Sequence, residues 1–265
     1  MSFETATSVM GGPGTWKGEL EQGWDILGVT NGGYIMATAA RAMEAELDGR
    51  SLISAFGSFV NPAGAGPIEI VVDVLKQGRT LSTARATVSM DGKDLVYVTG
   101  VYADPDRSVH DAHLVLGSPP ELPPPGECVR VEPADEAPFP PPFIGKVDLR
   151  IHPEDVASMM GGEPSGTPQV RGWFRLNDGE PLNAHAVVLA CDSFPPAIFN
   201  AGVRIGWTPT VDLTVQVRRP HPTGWLACRI FSRFITDGML EEDAEIWDEW
   251  GNPVALSRQL ALVPR

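Results

Sequence analysis

Basic residues are scarce in this 265-residue chain, with 20 Lys and Arg against 34 Asp and Glu and a formal net charge of −14. A surface of that sign repels phosphate backbones, which excludes nucleic acid as a partner. An anionic substrate would need its own local basic patch. Cysteine is scarcer still. Cys128, Cys191 and Cys228 are odd in number and unclustered. They offer neither a disulfide framework nor metal-site spacing, and they fit a reducing cytoplasm. No apolar run approaches the ~18 residues of a spanning helix, so no membrane partner is expected. The start, MSFETATSVMGGPG, has no basic segment followed by an apolar one, so no secretory leader is read there.

Familiar catalytic signatures are missing too. There is no G-x-S-x-G elbow, no P-loop, no H-E-x-x-H and no dinucleotide fingerprint after a strand. The histidines His110, His113, His152, His185 and His221 are scattered. His110-x-x-His113 has no further ligands clustered near it, so no metal site and no cofactor are expected.

What the chain does have is a long pattern that occurs twice. Ser54–Tyr102 and Val211–Val263 each read as an alternating strand, a Pro turn (Pro62, Pro220), a strand and a Gly turn (Gly78, Gly238). A strand, a second Gly turn (Gly92, Gly251) and a last strand follow. In the segment 80–90, Leu81, Thr83, Arg85, Thr87 and Ser89 alternate with Ser82, Ala84, Ala86, Val88 and Met90, the period of a strand. Each meander follows one apolar helix-like segment, Gly32–Leu47 and Leu182–Ser193. Asn31 is a suitable N-cap for the first, and Pro181 is expected to open the second. The residues between are rich in proline, with Pro123-Pro124-Pro125 and Pro140-Pro141-Pro142, which can neither donate to a ladder nor continue a helix. The expected organisation is an N-terminal half over 1–104, a Pro-rich crossing over 105–145 and a C-terminal half over 146–265.

A helix followed by a long antiparallel meander, duplicated in one chain, resembles the double hotdog fold of class α+β. More specifically, the chain resembles the acyl-CoA thioesterase II (TesB-like) family over nearly its whole length. The resemblance rests on Asn31-Gly32-Gly33-Tyr34, on Gly78-Arg79-Thr80-Leu81-Ser82, on Leu189-Ala190-Cys191-Asp192, on Thr210-Val211-Asp212 and on Ser257-Arg258-Gln259. It implies that Asp192, Thr210 and Gln259 hold the hydrolytic water, and that an acyl-CoA is the substrate. Two positions depart from the pattern. Leu213 stands where the family has His, and Ser54–Phe59 replaces a His-rich strand.

Those residue types suit thioester hydrolysis. A carboxylate at a buried helix end can take the water's proton, while a hydroxyl and an amide orient the water without competing as bases. Amides at a helix start can polarise the thioester carbonyl, and Gly32-Gly33 would let it approach, placing Asn31, Gly32, Gly33 and Tyr34 as the substrate-binding turn. Two rivals stand beside this reading. One is a non-catalytic acyl-CoA or lipid-binding protein. The other is a hotdog hydratase or dehydratase, for which the first helix lacks the required His. A role in lipid metabolism and assembly into a homodimer or larger oligomer are also expected.

Overall fold

The first helix is built to be swallowed. Ala37, Ala39, Ala40 and Ala42 leave room for neighbours, and Tyr34, Ile35, Met36 and Met43 fill it, so apolar residues ring the cylinder instead of forming one stripe. In the computed structural model, which describes residues 2–104, 113–134, 137 and 139–264, this helix (Gly32–Glu46) is buried along most of its length. It is α2. A one-turn α1 (Phe3–Ala6) precedes it, and α3 (Ala184–Ala190) is its counterpart in the second half. Pro181 lies ahead of α3 and does not open it. Asn183 is the cap, its side chain accepting from Ala186 N–H.

The strands of the first half are β1 (Met10–Gly11), β2 (Thr15–Leu20), β3 (Asp25–Ile26), β4 (Val29–Thr30), β5 (Ser51–Phe59), β6 (Gly66–Lys76), β7 (Leu81–Met90) and β8 (Lys93–Ala103). Those of the second are β9 (Val129–Arg130), β10 (Val147–Ile151), β11 (Gln169–Leu176), β12 (Thr210–Val217), β13 (Leu226–Phe231), β14 (Ile235–Thr236), β15 (Met239–Asp248) and β16 (Pro253–Leu262). Apart from the β3–β4 hairpin they form one antiparallel sheet, ordered β1-β2-β6-β7-β8-β5-β12-β16-β15-β13-β11-β10-β9, with β14 against β15.

The duplication is visible in that order. Outward from the centre, one side runs β5-β8-β7-β6-β2 and the other β12-β16-β15-β13-β11. The halves meet where β5 pairs β12, from Asp212 opposite Ser58 to Gln216 opposite Ser54. Each half wraps one helix, and together they make the double hotdog that the repeat implied.

Alternation along the strands gives the sheet one face for the helices. Ala84, Ala86 and Val88 on β7, and Val96 and Val98 on β8, are fully buried. Each large apolar side chain buried in this way stabilises the fold by about 1.5–3 kcal/mol. Trp24 stacks on Tyr34, with ring centroids 4.6 Å apart, and pins the β2–β3 crossing to the start of α2. Among the described residues of the Pro-rich crossing there are two short 3₁₀ turns, Pro125–Glu127 and Pro142–Lys146, and β9, which pairs with β10. His110 lies outside the described residues. His113 is exposed, and the described residues contain no cluster of metal-ligating side chains. No described helix is long and apolar enough to cross a membrane.

Candidate active site

The two helices touch end to start, and the contact is made by the expected residues. Asn31 caps α2 by accepting from Tyr34 N–H at 2.9 Å. The same side chain turns its Nδ2 to the other half, donating to the Asp192 main-chain oxygen at 2.9 Å and to Asp192 Oδ2 at 3.1 Å. Gly33 N–H donates to Oδ2 at 2.7 Å. Asp192 follows the end of α3, so a carboxylate of the second half sits on the first turn of the helix in the first. Helix N–H groups and the helix dipole favour charge there. Burial opposes them and wins, pushing the Asp192 carboxyl up to about 6.

Gly32 and Gly33 are glycines because the approach is close. A Cβ on Gly33 would lie 2.8 Å from the Asp192 Cβ and 3.3 Å from the Leu189 Cα. One on Gly32 would lie 2.8 Å from the Phe59 ring. The pair therefore serves the helix contact, and Gly33 N–H is given to Asp192 instead of standing open to a carbonyl. Tyr34 also differs from its expected role. Its side chain is fully buried, its hydroxyl donates to Ala6 C=O at 2.7 Å, and it does not reach the cavity described next. An aromatic beside a helix cap reads equally well in sequence as ligand contact or as core. The apolar pocket formed by Trp24 decides for core.

A cavity of about 630 Å³ opens beside Asp192. Asn31, Gly32, Asp192, Thr210 and Gln259 line it, whereas Gly33 and Tyr34 do not. Thr210 reaches it at the start of β12, where a register shift between Thr210 and Asp212 breaks the ladder with β16. Such a bulge re-aims the side chains around it. Gln259 stands on β16 opposite both Leu213 and Glu242. It is 8% exposed, and its Oε1 has no hydrogen-bond partner among the described residues. Buried amides are rarely left so.

Glu242 on β15 also lines the cavity and was not foreseen. Its Oε2 accepts from Ala197 N–H at 2.7 Å and its Oε1 from Gln259 Nε2 at 3.3 Å. Burial pushes its carboxyl up to about 8, and the nearby charge of Asp192 adds to this. The signal was in the alternation, since Leu240, Glu242, Ala244 and Ile246 share one face and Glu242 interrupts an otherwise apolar row.

The rest of the lining is largely apolar, drawn from both halves and from the Pro-rich crossing, with Ile35, Phe59, Phe143, Ile144, Phe199 and Ile230 among it. Arg130 is the one cation of the described lining, and it is paired with Glu132 at 2.8 Å. Arg218 and Arg219 stand apart from the cavity, where Arg218 bonds Gln216 and Arg219 lies 3.5 Å from Asp248. No histidine lines it among the described residues. Cys191 does, but burial raises its thiol to about 12, which leaves no thiolate for nucleophilic attack. The opposite end of the helix pair is built differently. Beside the start of α3, Glu44 of α2 lies 3.3 Å from His185, in a smaller cavity of about 320 Å³.

Relatives share this architecture. A Thermobifida fusca YX protein described as a candidate thioesterase II is 33% identical, and its crystal structure superposes with a TM-score of 0.88 over 99% of this chain and 97% of that one. A hot dog fold protein of Alicyclobacillus acidocaldarius is 20% identical, with a TM-score of 0.86 over 99% and 98% of the two chains, and shows the shared fold. The thioesterase-like protein TwmA of Talaromyces wortmannii is 26% identical over 94% of this chain and 88% of its own length. The model of the acyl-CoA thioesterase N-terminal domain matches residues 20–103, and that of the C-terminal domain matches residues 125–263. With both domains present in order, the chain belongs to the acyl-CoA thioesterase family.

Proposed function

We propose that the protein hydrolyses an acyl-CoA with an apolar acyl group to the free acid and CoA, without a metal or redox cofactor. One observation carries the reading. A carboxylate seated on a helix start, its carboxyl raised to about 6, shares a cavity with a hydroxyl (Thr210) and an unpartnered amide oxygen (Gln259 Oε1). A base poised near neutral pH with two orienting groups is what water activation requires.

The step balances as follows. Thr210 and Gln259 hold a water, and its oxygen attacks the thioester carbonyl carbon while Asp192 takes its proton. The carbonyl electrons move onto oxygen, and Gly32 N–H, at the positive end of α2, supports that charge. Collapse re-forms the carbonyl and breaks the C–S bond. The sulfur leaves with the electron pair and takes the proton held by Asp192, which restores the carboxylate and yields CoA and the acid. The apolar lining supports an acyl chain or ring over a charged acyl group. Free, buried cysteines support a cytoplasmic setting.

A panel of acyl-CoAs of graded length, with thiol release followed in time, tests the proposal. Saturable release that stops in Asp192→Asn supports it. Ligand-dependent thermal stabilisation without any release would replace hydrolysis by binding.

A further inference from the structure

Three acidic residues follow one another on β15, and only the middle one faces inward. Glu241 accepts from Arg233 Nε and from Phe234 N–H, and Asp243 pairs with Arg233 and Arg258. Glu242 is 7% exposed and is paired with no cation among the described residues. A buried carboxyl without a basic partner is costly, so its presence calls for a cause. Gln259 supplies one. A primary amide has two opposite ends, and the end that meets Glu242 decides what the other end offers. With Nε2 given to Glu242, the carbonyl oxygen remains, and it is the buried acceptor left without a partner.

We propose that Glu242 is a positioning residue that sets which end of the Gln259 amide is presented to the reactive water. The inference rests on the hydrolytic reading of the site. Ala197 N–H fixes Oε2 of Glu242 as an acceptor, so the state of Oε1 is the free variable. Ionised, Oε1 only accepts, and Gln259 offers its oxygen to the water. Protonated, it has a hydrogen to give, and the amide turns to offer Nε2. The carboxyl is pushed up to about 8 chiefly by burial. Ala197 N–H opposes this, while the charges of Asp192 beyond α3 and of Glu241 and Asp243 on its own strand add to it. Its facing partner on β16, Gln259, is neutral.

The test is Glu242→Gln, a swap of nearly equal shape. The new oxygen takes Ala197 N–H, so the new NH₂ faces Gln259 and demands its Oε1. The Gln259 amide is then reversed at every pH. Assays belong at about pH 9, where wild-type Glu242 is ionised. There kcat falls roughly tenfold or more, as expected for a hydrogen bond of the wrong polarity. KM stays within about twofold, since acyl binding is untouched. A wild-type inflection in kcat near pH 8 disappears in the variant, and Tm does not fall. The double variant Glu242→Gln/Gln259→Glu restores an acceptor at the water and recovers most of the lost kcat, which a purely structural role would not do. The Gln259 side-chain ¹⁵NH₂ resonances provide a readout independent of turnover, shifting between about pH 7 and 9 in the wild type and not in Glu242→Gln. Wild-type kcat at pH 9 in the variant, with unchanged Gln259 resonances, overturns the inference. A wild type that releases no thiol from any acyl-CoA overturns the hydrolytic reading instead, and the resonances still decide whether Glu242 sets the amide.

Discussion

Asp192→Asn separates a base from a cap, because the two roles pull in opposite directions. The structure gives Asp192 Oδ2 two donors, Gly33 N–H and Asn31 Nδ2. An Asn oxygen accepts both, so the helix start is kept, and only charge and basicity are lost. Turnover should fall roughly 10²–10⁴-fold, the usual cost of losing a general base. Stability should rise. The carboxyl is raised from an ordinary 3.8 to about 6, so between those values the folded protein binds protons that the unfolded chain does not. Wild-type stability is therefore lost as pH climbs through that window and stays lost above it. At about 1.4 kcal/mol for each tenfold, the penalty is at most about 3 kcal/mol. Asn never bears it. Above pH 7 the variant should melt roughly 5 °C or more higher than wild type, with the difference closing near pH 4. Thermal melts across pH and thiol release from the best acyl-CoA measure the two effects. A variant with wild-type turnover, or one less stable than wild type at neutral pH, would refute the reasoning.

The other expectations are simpler. Asp192→Ala leaves Gly33 N–H without its acceptor, while Asn31 Nδ2 keeps only the main-chain oxygen of residue 192, and it should cost about 1–3 kcal/mol of stability, read as a lower Tm. Thr210→Val and Gln259→Leu should each reduce kcat less than Asp192→Asn, and the combined loss should fall short of the sum, because the groups share one water. Gly33→Ala should destabilise by about 1–3 kcal/mol through overpacking, since its Cβ would meet Asp192 and α3; a Tm equal to wild type would show that the helices can separate. Light scattering should give a mass above the 28.5 kDa monomer. Val71 and Tyr97 flank Thr87 on one row of the sheet's open face, and both remain exposed.

The parts legible in sequence were those with a period. The meanders of both halves were read from alternation and turn residues, and the structure has strands β5–β8 and β12–β16 in those stretches. Gln259 was named through the family resemblance, whereas Glu242 could have been found from alternation alone, as a lone polar residue in the apolar row of β15. The partner of Gly33 could not, since no local pattern joins residue 33 to a side chain 159 positions away. The Pro-rich crossing shows the same limit. Phe139 and Phe143 line the cavity, but Phe139 is on irregular backbone and Phe143 in a single short 3₁₀ turn (Pro142–Lys146), neither long enough to carry a period that reveals which way a side chain faces.

The seam between β5 and β12 has a further consequence. Two identical subunits joined along such a seam would have to carry the same residue at both ends of the helix pair, so a change made for chemistry at one end would be repeated at the other. Covalent fusion removes that constraint. Asn31 and Asn183 still cap their helices alike, but one faces Asp192 and a cavity of about 630 Å³, and the other stands beside His185 and Glu44 in about half that space. Each end can drift under its own selection, so a doubled architecture can hold a single, asymmetric workplace.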